Sequence, residues 1–111
     1  MTAPPHCGAT RAYLAIAVAV LGFTASPAHA DMATADKNAC LNCHAMAKKV
    51  VGPAFKDIAI KYRGKSDAET YLAQKIALGS SGVWGAVPMP GMPQVPPAEV
   101  KAMVQWILSQ P

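Results

Sequence analysis

No apolar run in this chain of 111 residues is long enough to cross a bilayer. The longest, Ala12 to Phe23, has twelve residues, against the about 20 that a spanning helix needs. Acidic residues are missing from the first thirty positions and number only six in all. Histidine is scarce: His6 and His29 lie in that acid-free stretch, and His44 is the third and last. Basic and aromatic residues do not interleave in a stripe, so the formal net charge of +4 is no sign of nucleic-acid binding. There are no internal repeats, and no segment alternates as a half-buried strand would.

The acid-free stretch reads as an export leader. Arg11 supplies the positive start, Ala12 to Phe23 the apolar centre, and Ala28-His29-Ala30 the small-residue cleavage site. A transit peptide would be richer in arginine, and an uncleaved anchor is the competing reading of the same run. Cys7 carries no lipidation pattern. Cleavage is expected before Asp31, giving a signal peptide at 1–30 and one small domain at 31–111, with no stable membrane insertion. That domain holds nine Lys or Arg and six Asp or Glu. A domain of this size needs a staple beyond its own apolar core.

The staple is written at Cys40-Leu41-Asn42-Cys43-His44. C-x-x-C-H is the attachment signature of a c-type haem. Two thiols at that spacing add to two vinyl groups of one porphyrin, and the next residue offers an imidazole to the iron. A thioredoxin-like redox pair would need a preceding strand, and the flank Asp31 to Ala39 has none. A structural zinc site wants four ligands, and residues 31–111 offer only two cysteines and one histidine. One covalent haem, held by Cys40 and Cys43 with His44 on the iron, is therefore the expected cofactor.

With one histidine left after cleavage, a methionine is the natural second ligand. Met32, Met46, Met89, Met92 and Met103 remain. Met46 follows His44 too closely to reach the other face of the haem. Met32 belongs to the first helix, and Met103 to the apolar stripe of the last. Met89 and Met92 lie in a segment, 79–97, that contains four glycines and five prolines. Prolines on both sides of Met89 restrict its backbone, as a weak thioether ligand requires. Met89 is the first candidate and Met92 the second. Val83, Trp84 and Val87 in the same segment are expected to be buried.

The rest reads as helix. Asp31 to Cys40 forms a short one leading into the haem motif. Phe55, Ile58, Ala59 and Tyr62 follow at helical spacing. Ser66 and Glu69 make a capping box for a helix from Asp67 to Leu78, ended by Gly79. Lys75 shares the face of Tyr71 on that helix, either as a stem along the surface or as a partner for a haem propionate. Pro97 opens the last helix, with Val100, Met103, Val104, Ile107 and Leu108 as its stripe. The expected class is all-α: about four short helices and a Pro/Gly-rich, Met-bearing loop around one haem.

From Cys40 to Gln110 the chain resembles the small bacterial class I cytochromes c of the c-551 (or c8) type. The likeness runs through C-L-N-C-H, K-V-V-G-P-A-F-K-D-I-A, L-A-Q-K-I, G-S-S-G-V-W-G-A-V-P-M-P and Q-W-I-L-S-Q. It implies that Met89 is the distal ligand, that the Pro53 carbonyl accepts the second ring N–H of His44, and that Lys75 and Trp84 hydrogen-bond a propionate. It implies a periplasmic, monomeric one-electron carrier and not an enzyme. The partners implied are a nitrite reductase, a terminal oxidase or peroxidase, and an upstream quinol-oxidising complex, met through a weak interface with Lys48, Lys49, Lys56, Lys61 and Lys65 nearby. A dedicated electron-accepting subunit of a periplasmic dehydrogenase is the alternative, and a haem enzyme or sensor with a labile sixth ligand comes third. One departure stands out: relatives commonly carry Asn or Gln three residues after the ligand methionine, where this chain has Met92 and its nearest amide is Gln94.

Overall fold

The computed structural model describes residues 1–4, 22 and 26–111. Cys7, Arg11 and nearly all of the apolar run 12–23 lie outside the described residues. Among the described residues no helix is long and apolar enough to cross a membrane.

Helix α1 (Met32–Lys37) starts where the Asp31 carboxylate accepts the Thr34 N–H at 2.8 Å and the Thr34 hydroxyl at 3.0 Å. This is an N-cap, and those bonds hold the Asp31 carboxyl below its usual range. The helix stops at Lys37, short of the Cys40 expected from sequence. Ala39 turns into the left-handed region at φ 59°, and Cys40–Asn42 follows as a single 3-10 turn.

Helix α2 (Phe55–Tyr62) buries the spacing foreseen for it: Phe55, Ile58, Ala59 and Tyr62. Helix α3 (Ala68–Leu78) lacks the capping box. The Ala68 N–H goes to the Lys65 carbonyl, and the Glu69 carboxylate accepts instead from Gln105 Nε2 of the last helix at 3.5 Å. A tertiary partner has displaced a local one. Helix α4 (Pro97–Leu108) buries Val100, Met103, Val104 and Ile107. It packs on both α2 and α3, and Val104 is fully buried. Arg63, just past α2, donates to the Leu108 and Gln110 carbonyls, satisfying acceptors that a helix end leaves open.

One element was invisible in the sequence. Gly79–Ser80 (β1) pairs antiparallel with Met89–Pro90 (β2), Gly79 opposite Pro90 and Ser80 opposite Met89. Strands of two residues are too short to alternate, and Pro90 is tolerated because the pair is all edge.

Apart from the buried Ala35, α1 is tied to α4 by polar groups. Lys37 Nζ lies 3.2 Å from Glu99 Oε2, and Asn38 Nδ2 donates to the same carboxylate. The Asn38 bond first, then Lys37, holds the Glu99 carboxyl below its ordinary value of 4.5. A carboxyl depressed by folding stabilises above its unfolded pKa and loses that contribution as pH falls through the folded one. Glu99→Gln should therefore lower the urea midpoint slightly at pH 7. The gap from the parent should close as the pH falls below the ordinary value of 4.5, and a gap that does not change with pH would contradict the clamp.

Candidate haem site

Two arms of chain and the helices between them line one apolar cavity. The first arm carries Cys40, Cys43 and His44, and the second carries Trp84, Met89 and Met92. Phe55, Ile58, Leu72, Ile76 and Val100 contribute the apolar floor.

The first arm is shaped by backbone bonds. The N–H groups of Cys43 and His44 both donate to the Cys40 carbonyl, at 3.1 and 2.9 Å. The chain then loops out and returns, with Gly52 N–H on the Cys43 carbonyl at 2.8 Å and Phe55 N–H on the Ala45 carbonyl at 3.0 Å. That return brings the Pro53 carbonyl to 2.7 Å from His44 Nδ1. A carbonyl can only accept, so Nδ1 carries the proton and Nε2 keeps its lone pair. The ring stacks on Phe55, centroids 5.4 Å apart and planes 19° apart, and Trp106 of α4 meets Phe55 edge-on at 5.3 Å. The thiols of Cys40 and Cys43 are free and half-buried, and burial pushes that of Cys40 up.

Gly52 was not singled out from sequence, and it matters. A Cβ there would lie 2.6 Å from His44 Cε1 and 3.0 Å from Nδ1. Only glycine lets the returning chain pass under the imidazole. The clue was the glycine directly before Pro53, between Val51 and a restricted proline.

On the second arm, Met89 and Met92 are both half-buried on the cavity. Met103 also borders it but belongs to the buried helix core, Met46 packs beside that core, and Met32 is exposed on α1. The expected burial of the apolar loop residues needs correcting. Trp84 is 36 % exposed and Val87 64 %, because with Val83 they line the cavity instead of entering the helix-packed core. Trp84 meets the Tyr62 ring edge-on at 6.5 Å, and Lys61 Nζ lies 4.4 Å from the Trp84 ring centre. Lys75 Nζ stands 4.9 Å from the Tyr71 ring centre, on the cavity wall. Burial, with the neighbouring Tyr71 phenol, raises the Tyr62 hydroxyl to about 12.

The donor set suits a haem: two thiols at vinyl spacing, an imidazole with a bare Nε2, thioethers on the same cavity and apolar walls for a flat macrocycle. It does not suit zinc, since among the described residues no three His, Cys, Asp or Glu side chains gather as a metal site. A small helical domain folded around such a cavity is a haem-carrying electron-transfer protein. The chain belongs to the cytochrome c family, whose model matches residues 32–111. It is 53% identical over 97 residues to cytochrome c-552 of Nitrosomonas europaea, covering 87% of this chain and 90% of that one. Cytochrome c-551 of Allochromatium vinosum is 46% identical over 92 residues, covering 82% and 98%. The crystal structure of wild-type Nitrosomonas europaea cytochrome c552 superposes with a TM-score of 0.71 at 56% identity, covering 73% of this chain and all of that one. The family carries a c-type haem bound covalently through two cysteines, here Cys40 and Cys43, and its members transfer electrons and are not enzymes.

Proposed function

We propose that the chain is exported, loses residues 1–30 and serves in the periplasm as a monomeric one-electron carrier, in which His44 and Met89 would hold the haem iron. One observation carries this reading: His44, its Nδ1–H already given to Pro53, lines the same cavity as Cys40, Cys43 and Met89. When bound, the haem supplies a ferric/ferrous couple. His44 offers the Nε2 lone pair, and the Pro53 carbonyl fixes the ring and raises its basicity. Met89 offers a thioether, which raises the potential relative to harder ligands. Met92, three residues on, is the second candidate. Lys75 and Trp84, both on the cavity wall, are suited to a propionate.

Val50 and Val51, each about half exposed, follow Lys48 and Lys49 in the chain, and Lys49, Val51 and the more exposed Val87 all border the cavity. These exposed valines suit brief docking over a small interface. Lys56, Lys61 and Lys65 add positive charge, although Lys61 and Lys65 lie over the Trp84 and Tyr62 rings. A nitrite reductase, a terminal oxidase or peroxidase, and a quinol-oxidising complex are the partners we assign.

The test is expression of the full chain in a host with c-type maturation machinery, followed by mass and optical analysis of the periplasmic fraction. The expected product begins at Asp31, is heavier than its polypeptide by one haem that survives acid-acetone extraction, and has a far-red sulfur-to-iron band when oxidised. A colourless product of bare polypeptide mass, in a host that matures other c-type proteins, would overturn the reading.

A further inference from the structure

We infer that Gly79 and Gly91 are positioning residues for Met89, and that they, not the iron, hold the ligand loop in place; this rests on Met89 being the axial ligand. A thioether is a weak neutral donor and cannot by itself fix a segment as long as 79–97. The chain supplies another fixing point. Gly79 leaves α3 at φ +83°, and a Cβ on it would lie 2.6 Å from the Met89 carbonyl oxygen and 2.8 Å from the Gly91 nitrogen. From the opposite side, a Cβ on Gly91 would lie 2.8 Å from the Leu78 carbonyl carbon and 2.9 Å from the Ala77 oxygen. The two glycines thus let the end of α3 and the Met89 segment meet backbone to backbone, with no side chain between them.

Backbone bonds complete the clamp. Met89 is itself paired with Ser80. Three residues on, the Met92 N–H donates to the Ile76 carbonyl at 2.8 Å. The atoms facing each glycine are main chain, which cannot swing aside as a side-chain tip can. Gly64, Gly82 and Gly85 differ: each has a positive φ, but a Cβ on any of them meets nothing within 4 Å. They serve turns, whereas Gly79 and Gly91 serve an approach. Gly91 has no positive φ, so alanine there adds a methyl without backbone strain.

The experiment compares oxidised holoproteins of the parent, Gly91→Ala and Gly82→Ala. Gly91→Ala should keep its covalent haem and helix content, lose much of the far-red band, and bind imidazole at the iron roughly tenfold more tightly or better. Gly82→Ala should keep its far-red band and imidazole affinity. An unchanged band and affinity in Gly91→Ala would overturn the inference. A second measurement needs no variant: hydrogen exchange of the parent with saturating imidazole. The Met92 amide should stay protected after the thioether is displaced, and collapse of its protection would mean that the iron holds the loop. Met89→Ala and Met92→Ala separate the two levels. If the band survives the first and vanishes in the second, the ligand assignment has failed. If it vanishes in the first while Gly91→Ala behaves as parent, only the clamp has failed.

Discussion

Met89→Ala should abolish the far-red band of the oxidised protein and lower its midpoint potential by roughly 0.2 V, part of the about 0.8 V that axial ligation spans. The loss is large because a thioether stabilises the ferrous state, and water or hydroxide taking its place would favour the ferric one. Of the remaining methionines, Met103 is in the helix core, while Met92 borders the same cavity, so the double variant Met89→Ala/Met92→Ala is the control for capture of the iron by the second thioether. The variant should become high-spin and bind carbon monoxide when reduced, while the haem stays attached through Cys40 and Cys43. Redox titration with optical spectra checks all of this. An unchanged potential and band would remove Met89 from the iron.

On the opposite arm, Gly52→Ala should cost the folded protein about 1.5–4.5 kcal/mol. Forcing a methyl against a packed ring costs about 1–3 kcal/mol, and here the nearest atom would be 2.6 Å away. The ring is already stacked on Phe55 at 5.4 Å, and yielding to the methyl would pull Nδ1 from the Pro53 carbonyl, 2.7 Å away. Losing that hydrogen bond adds about 0.5–1.5 kcal/mol. In a domain of this size each kcal/mol shifts the melting temperature by about 4–8 °C, so a fall of about 6 °C or more is expected. Pro53→Ala is the contrast. It keeps the carbonyl and removes only the ring's constraint on the unfolded chain, worth about 0.4–1 kcal/mol. Thermal melts of the two holoproteins decide the matter, and equal losses would mean that closeness to His44 is not what Gly52 provides.

Sequence and structure agree where the signal was periodic or chemical. The α4 stripe needed only the helical repeat, since burial at Val100, Met103, Val104 and Ile107 follows from spacing alone. The first arm was legible because C-L-N-C-H is local and its chemistry dictates its spacing. What escaped was set by distant partners. Ser66 and Glu69 have the spacing of a capping box, yet Glu69 is taken by Gln105, thirty-six residues away. Trp84 and Val87 are apolar, but apolarity does not say whether the neighbour is protein or prosthetic group. The β1–β2 pair arises from a backbone approach across the intervening residues 81–88, and the need for glycine at 52 from the His44 ring lying against the returning chain. Single-residue propensity carries no trace of these. The left-handed Ala39, which follows the early end of the first helix, stands directly before the haem-motif turn.

The five prolines of the Met-bearing segment also bear on how readily that arm can be assembled. Pro88, Pro90, Pro93, Pro96 and Pro97 have one backbone torsion set before folding begins. Each spares about 0.4–1 kcal/mol of lost chain freedom, so the five together spare about 2–5 kcal/mol. Small domains have only about 5–15 kcal/mol in hand. Rigidity built into the unfolded polymer therefore lets an arm with almost no regular secondary structure settle into one shape.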